Sequence, residues 1–223
     1  MFTHLRTQCA SLLETLLDLI FPPSERGRRV RVLTTNHLSL LPQVHTVRNT
    51  SITTLLPYNE APVKDTIQTL KYERSKKATH LLASALADYL LESLAEGSLF
   101  TSPQKTILIP VPLARKRQHE RGYNQVTEVL ALLPSYGVST IVRTDIIGRI
   151  RETPHQTRLP RAERLTNLIN CFALANASLT GALKGYHIVL IDDVTTTGST
   201  LLEAKSVLEK TGATITLLAF ARA

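Results

Sequence analysis

This sequence predicts an α/β fold with a mostly parallel central sheet flanked by helices. Two observations carry the prediction. From Thr106 onward, short apolar runs alternate with helical apolar stripes, and strand-helix alternation of that kind builds parallel sheets covered on both faces. The strongest run, His187-Ile-Val-Leu-Ile-Asp192, leads into a hydroxyl-rich loop and another amphipathic stretch, and ligands of such sheets bind beyond the carboxyl ends of the strands.

Near the start, Leu12, Leu13, Leu16, Leu17 and Ile20 mark an amphipathic helix within residues 11–21. Its polar residues, Glu14 and Asp18, are acidic, which favours docking on a core over attachment to a membrane. Pro22-Pro23 breaks the pattern, and residues 24–57, rich in Thr, Asn and Arg without helical period, read as short strands and loops. Helices are expected over residues 62–72 and 77–94, the second with Leu82, Ala85, Leu86 and Tyr89 on one face and Gly97 as its stop. A strand at 107–111 precedes a helix that carries Tyr123, Val126, Val129, Leu130 and Leu133 and is closed by Pro134. After a short strand at 140–143, a helix sets Leu165, Leu168, Ile169 and Phe172 on one face. The strand at 187–192, a helix over 199–210 ended by Gly212 and a strand at 214–220 complete the series.

The length of 223 residues suits one main domain with a small extension. Hydrophobic residues make up 43% and charged residues 20%, which sets disordered and fibrous classes aside. Cys9 and Cys171 share no short spacing, so neither a disulfide framework nor a zinc site is expected and a reducing cytoplasm is the expected compartment. The N-terminal stretch lacks the basic start and cleavage site of a signal peptide, and no apolar run approaches the length of a membrane span, so no membrane insertion is expected. A net charge of +8 permits attraction to polyanions, nucleic acid and phosphorylated metabolites alike. A solvated basic surface gives the same total.

The string Val189-Leu-Ile-Asp-Asp-Val-Thr-Thr-Thr-Gly-Ser-Thr200 sets a buried strand, two carboxylates, a hydroxyl-rich loop and a helix start side by side. The loop of Thr195, Thr196, Thr197, Gly198, Ser199 and Thr200 can turn amides and hydroxyls onto a phosphate, with the positive end of a helix dipole behind them. Gly198 allows the backbone a close approach. Asp192 and Asp193 repel bare phosphate, so their partners are ribose hydroxyls and a magnesium ion held largely through water. Any one of these residues alone reads as a helix cap. The whole string resembles the phosphoribosyl pyrophosphate signature of type I phosphoribosyltransferases, and that resemblance implies ribose and magnesium contacts at the acid pair followed by a 5′-phosphate loop. Neither a Walker loop nor a G-x-G-x-x-G pattern occurs.

Two basic segments accompany it. Arg115, Lys116, Arg117 and Arg121 follow the strand at 107–111, where cations can offset the charge of a departing pyrophosphate. The long polar segment from Arg149 carries Arg151, Gln156, Arg158, Arg161 and Arg164, suited either to a lid over a bound anion or to a nucleic-acid backbone.

Leu70-Lys-Tyr72, Arg121-Gly-Tyr-Asn-Gln125, Arg151 with Thr153, Gln156 and Leu159, then Arg161, Arg164, Asn167 and Phe172, together with the Asp-Asp-Val-Thr-Thr-Thr-Gly string, resemble the ComF family of competence and phosphoribosyltransferase-like proteins. Leu16-Leu-Asp-Leu-Ile-Phe-Pro-Pro23 is similar to that family's opening. The resemblance implies a type I phosphoribosyltransferase fold over residues 58–223, preceded by an extension over residues 1–57. Many members carry a cysteine zinc ribbon after the opening, but here Ser24 and Glu25 follow Pro23 and no cysteine follows them until Cys171, so the extension is expected to be metal-free. Two functions stay open. One is transfer of a phosphoribosyl group from phosphoribosyl pyrophosphate, with magnesium, to a nitrogen nucleophile. The other is a non-catalytic module that binds a phosphorylated ligand and single-stranded DNA alongside competence-associated proteins.

Overall fold

A computed structural model describes residues 22–96, 105–151 and 171–223. The expected amphipathic helix within residues 11–21 lies outside them, as does most of the polar segment after Arg149.

The described residues open with a helix inside residues 24–57, where short strands and loops were expected. Helix α1 (Glu25–Arg31) is capped by Ser24, whose hydroxyl accepts from the Gly27 amide at 2.9 Å, and Glu25 opens the helix while Arg28, Arg29 and Arg31 close it. Its sequence shows no apolar period because only Val30 and Gly27 are buried. Tertiary contacts hold it: Arg26 and Arg29 reach Asp65 at 3.1 and 2.7 Å, and the Ser24 hydroxyl donates to Glu73 at 2.8 Å. Strands β1 (Gln43–Val47) and β2 (Thr50–Pro57) form a hairpin whose turn residues, Arg48 and Asn49, both take positive φ, the geometry that fits the twist of paired strands.

Helix α2 (Ala61–Glu73) starts at a proline and ends on Arg74 in left-handed conformation, and α3 (Lys76–Ala95) follows it. Strand β3 (Thr106–Pro110) is wholly buried. Beyond it the chain forms two short helices, α4 (Arg115–Arg121) and α5 (Gln125–Ala131), with left-handed Gly122 between them. Strands β4 (Ile141–Val142) and β5 (Ile147–Arg149) come next. Phe172 belongs to strand β6 (Phe172–Leu174), antiparallel to β5 through its ladder with Arg149, so the expected helix does not include it; Leu165, Leu168 and Ile169 of that helix lie outside the described residues. Strand β7 (His187–Thr195), helix α6 (Ser199–Leu208) and strand β8 (Thr214–Arg222) close the described chain.

The main sheet runs β1-β2-β8-β7-β3-β4. Only the β1–β2 pairing is antiparallel, and β2, β8, β7, β3 and β4 are mutually parallel neighbours. The sheet therefore crosses the boundary expected at residue 57, because β2 pairs with β8 through Pro57 and Arg222. Strand alternation feeds two cores. Leu108, Val189, Ile191, Leu218 and Phe220 pack with α2, α3 and α5 on one face, while Ile107, Ile109, Ile188, Leu190 and Leu217 pack with α6 on the other.

Candidate functional site

Alternation along β7 places its two carboxylates. Asp193 continues the face of Val189 and Ile191, toward α2 and α5, and is 7% exposed. Lys71 Nζ of α2 lies 2.7 Å from Asp193 Oδ1, and the Gln125 side-chain amide of α5 donates to Oδ2. Gln125 is delivered by its helix start. The Asn124 side chain accepts from the Val126 amide at 3.0 Å and donates to the Val111 carbonyl at 3.0 Å, fastening α5 to the end of β3.

Asp192 stands half-buried in the wall of a cleft, and its Oδ1 accepts from the Asp193 amide at 2.8 Å. Exclusion of water and then the neighbouring Asp193 charge push its carboxyl up to about 7, against Lys71 and Arg117, which pull it down. The Lys71 ammonium beside Asp193 offsets part of the charge of the acid pair, so an anion approaching the adjacent loop meets less repulsion than two bare carboxylates would give.

That loop begins where β7 ends. The Thr195 carbonyl accepts from the Ala223 amide at 3.0 Å, and Thr196 and Thr200 line the cleft beside Asp192 and Asp193. Gly198 turns the chain into α6 at φ 76°, and a Cβ there would come 2.5 Å from Ile52 Cδ1. Thr197 and Ser199 share a hydroxyl hydrogen bond of 2.8 Å. Gly198 provides no capping side chain for α6, and the start of a helix, with its dipole and unsatisfied amides, suits an anion.

Arg117 and Arg121 of α4, Arg149 of β5, and Tyr58, Gln68 and Tyr72 also line the cleft. Arg121 donates to Gln125 Oε1 at 3.0 Å, and its guanidinium carbon sits 5.2 Å from the Tyr72 ring centroid. The structure thus brings Asp192, Asp193, Thr196, Thr200, Arg117 and Arg121 to one cleft. Arg115 and Lys116 lie on the exposed face of α4, outside that lining. Arg151 is exposed just past β5, its carbonyl accepting from Arg149 Nε at 3.4 Å. Gln156, Arg158, Arg161 and Arg164 lie outside the described residues.

Sequence reasoning gave no role to Lys71, Gln125 or Tyr72, which it quoted only within family-like strings, named Arg149 only as the start of the polar segment, and singled out neither Tyr58 nor Gln68. Each gains its place from a contact between separate elements. The one local signal was the Lys71-Tyr72 pair at the end of the helix expected over residues 62–72.

The same region matches known proteins. A phosphoribosyl transferase domain profile covers residues 82–222. DNA utilization protein YhgH of Salmonella typhi is 31% identical over 153 residues, 68% of this chain and 63% of the relative. Competence protein F of Haemophilus influenzae is 38% identical over 105 residues, 47% of this chain and 44% of the relative. Competence protein ComFC of Bacillus subtilis is 34% identical over 106 residues, 47% of this chain and 39% of the relative. The chain therefore spans less than two thirds of the length of these relatives. Among solved structures, adenine phosphoribosyltransferase of Saccharomyces cerevisiae aligns over 85% of this chain and 88% of its own at 12% identity and a TM-score of 0.39.

Proposed function

The chain belongs to the phosphoribosyl transferase domain family, and from that premise we propose that its cleft binds the 5-phosphoribosyl group of phosphoribosyl pyrophosphate and transfers it to a nitrogen nucleophile. The observation that carries this reading is the placement of Thr196 and Thr200, at the start of α6, in one cleft with Asp192, Arg117 and Arg121. The loop from Thr195 to Thr200 receives the 5′-phosphate. Asp192 faces the ribose hydroxyls, which are donors to a carboxylate, and Asp193, held by Lys71 and Gln125, keeps the wall in place. Arg117 and Arg121 take the pyrophosphate. In the transfer, the bond from ribose C1 to the pyrophosphate oxygen breaks with its electron pair leaving on pyrophosphate. A bond from C1 to the acceptor nitrogen forms, and the acceptor releases a proton. Positioning and charge stabilisation carry such a step.

Magnesium fits this site in one way. Among the described residues no group of three His, Cys, Asp or Glu side chains is placed to hold a metal ion, and both oxygens of Asp193 already have partners. Magnesium is commonly held by one or two carboxylates together with substrate phosphates and water; Asp192 would be the carboxylate that holds it here, and the ion would supply positive charge to offset that of the pyrophosphate. Mixing the protein with phosphoribosyl pyrophosphate, magnesium and a panel of nucleobases is expected to release pyrophosphate; inertness toward every acceptor despite intact binding removes the transfer step.

A second reading is favoured by the relatives' names, which speak of DNA utilization and competence. Here the cleft holds a phosphorylated ligand without turnover, and the exposed cations of α4, Arg115 and Lys116, with the basic segment after Arg149, follow single-stranded DNA in the company of competence-associated proteins. No helix among the described residues is long and apolar enough to cross a membrane, and a cytoplasmic location is part of either reading.

A further inference from the structure

Tyr123 is buried and does not line the cleft, yet it is tied to the helix that supplies one of the cleft's charges. Helix α2 ends on Arg74 in left-handed conformation, at φ 48°. The Arg74 amide and, at 3.4 Å, the Ser75 amide both return to the Thr69 carbonyl. The Leu70 carbonyl, one of the last four that a helix leaves without an amide of its own, accepts from the Tyr123 hydroxyl instead. Leu70 is the chain neighbour of Lys71, whose ammonium meets Asp193. The left-handed turn is held as well: the Arg74 guanidinium carbon lies 4.9 Å from the Tyr123 ring centroid, and Nη2 reaches Glu128 at 2.9 Å. A non-glycine residue keeps such a conformation only where its surroundings determine it.

We propose that Tyr123 is a positioning residue for the cleft, its hydroxyl fixing the last turn of α2 where Lys71 meets Asp193. The proposal rests on the reading of the cleft as a 5-phosphoribosyl site and names a residue that tunes it without touching the ligand. The stretch from Tyr123 to Gln125 suits that work because its residues reach three elements: Tyr123 the end of α2, Asn124 the Val111 carbonyl after β3, and Gln125 the Asp193 carboxylate of β7. Loss of the hydroxyl unties α2 and leaves the other two ties in place. Lys71 then has no fixed position against Asp193, and the less fully offset carboxylate repels an incoming phosphate more strongly. The Arg74–Glu128 pair is half-exposed to exposed and contributes little by itself, so the hydroxyl is the contact to remove.

Calorimetry with phosphoribosyl pyrophosphate and magnesium on the full chain tests this in a cycle of wild type, Tyr123→Phe, Lys71→Met and the double variant. Tyr123→Phe keeps the ring under Arg74 and is expected to weaken binding about threefold to tenfold, the scale of one hydrogen bond. In the Lys71→Met background the same change is expected to cost nothing further, since it acts through the ammonium. A hydroxyl that serves packing alone gives equal losses in both backgrounds, and that result overturns the proposal. Should Lys71→Met not fold, the proton–nitrogen resonance of the Lys71 ammonium replaces the cycle: it is expected to move in Tyr123→Phe, and a resonance left in place overturns the proposal. Binding to Tyr123→Phe as tight as to the wild type overturns it too and leaves the phosphoribosyl reading standing. No binding to the wild type overturns reading and proposal together.

Discussion

Both oxygens of Asp193 are engaged by Lys71 and Gln125, so on the proposed reading its work is to hold three elements together while Asp192 meets the ligand. A carboxylate so little exposed is expensive to leave without its cation. Lys71→Met is expected to cost about 3 kcal/mol of stability in urea unfolding, the lower part of the range for breaking a buried pair because some water reaches both groups. Lys71→Met/Asp193→Asn is expected to recover part of that loss; a double variant showing the full sum of the single losses means that the pair is not coupled. Gly198→Ala forces a β-carbon into the left-handed region, at an expected cost of about 1–2 kcal/mol. Replacing Ile52 with Val in that background relieves only the contact with Cδ1. At this scale the sequence revealed what is local. Asp192, Thr196, Thr200 and Gly198 stand in one string with a strand before it and a helix after it. Lys71 and Gln125 stayed hidden because each meets Asp193 only through tertiary packing.

Elements with strong apolar period were legible: α2, α3, β3, β7, α6 and β8 stand within a few residues of where pattern placed them. Helix α1 was not, because its stability comes from a cap and from Asp65 rather than from a buried stripe. Strand β6 was not, because Phe172 fits a helical face as well as a ladder and only pairing with β5 decides between them. The dependence of α1 on Asp65 gives a pH prediction. Burial pulls the Asp65 carboxyl up, but its bonds to Arg29 and Arg26 outweigh that and hold it below the usual carboxylate range. A carboxyl whose folded pKa is depressed contributes stability that is present above its unfolded value, about 4, and is lost as pH falls through the folded value. The stability difference between wild type and Asp65→Asn is therefore expected to be constant at neutral pH and to shrink as the solution is acidified below about pH 4. A difference that stays level throughout means that the ion pairs do not hold α1.

For the molecule as a whole, strand-helix alternation predicted the parallel sheet and its two covered faces, and the ends of β3, β7 and β8 meet at the cleft as such sheets require. The placement of β2 beside β8 was not legible, since nothing in residues 24–57 names a partner at the far end of the chain. Net charge of +8 is a property of this scale too, and the salt dependence of binding, not the total, separates the two functional readings. If the protein follows single-stranded DNA, affinity falls steeply with salt, and removing Arg115 or Lys116 lowers the salt slope by about one unit each. Salt-insensitive binding, or none at low salt, excludes the DNA reading. The phosphoribosyl site is tested most directly by calorimetry with phosphoribosyl pyrophosphate and magnesium on wild type, Thr196→Val/Thr200→Val and Asp192→Asn. Saturable binding to the wild type is expected, absent with magnesium alone, and weakened about tenfold or more when either the loop hydroxyls or the Asp192 carboxylate is removed. Binding unchanged in both variants, or no binding to the wild type, contradicts it.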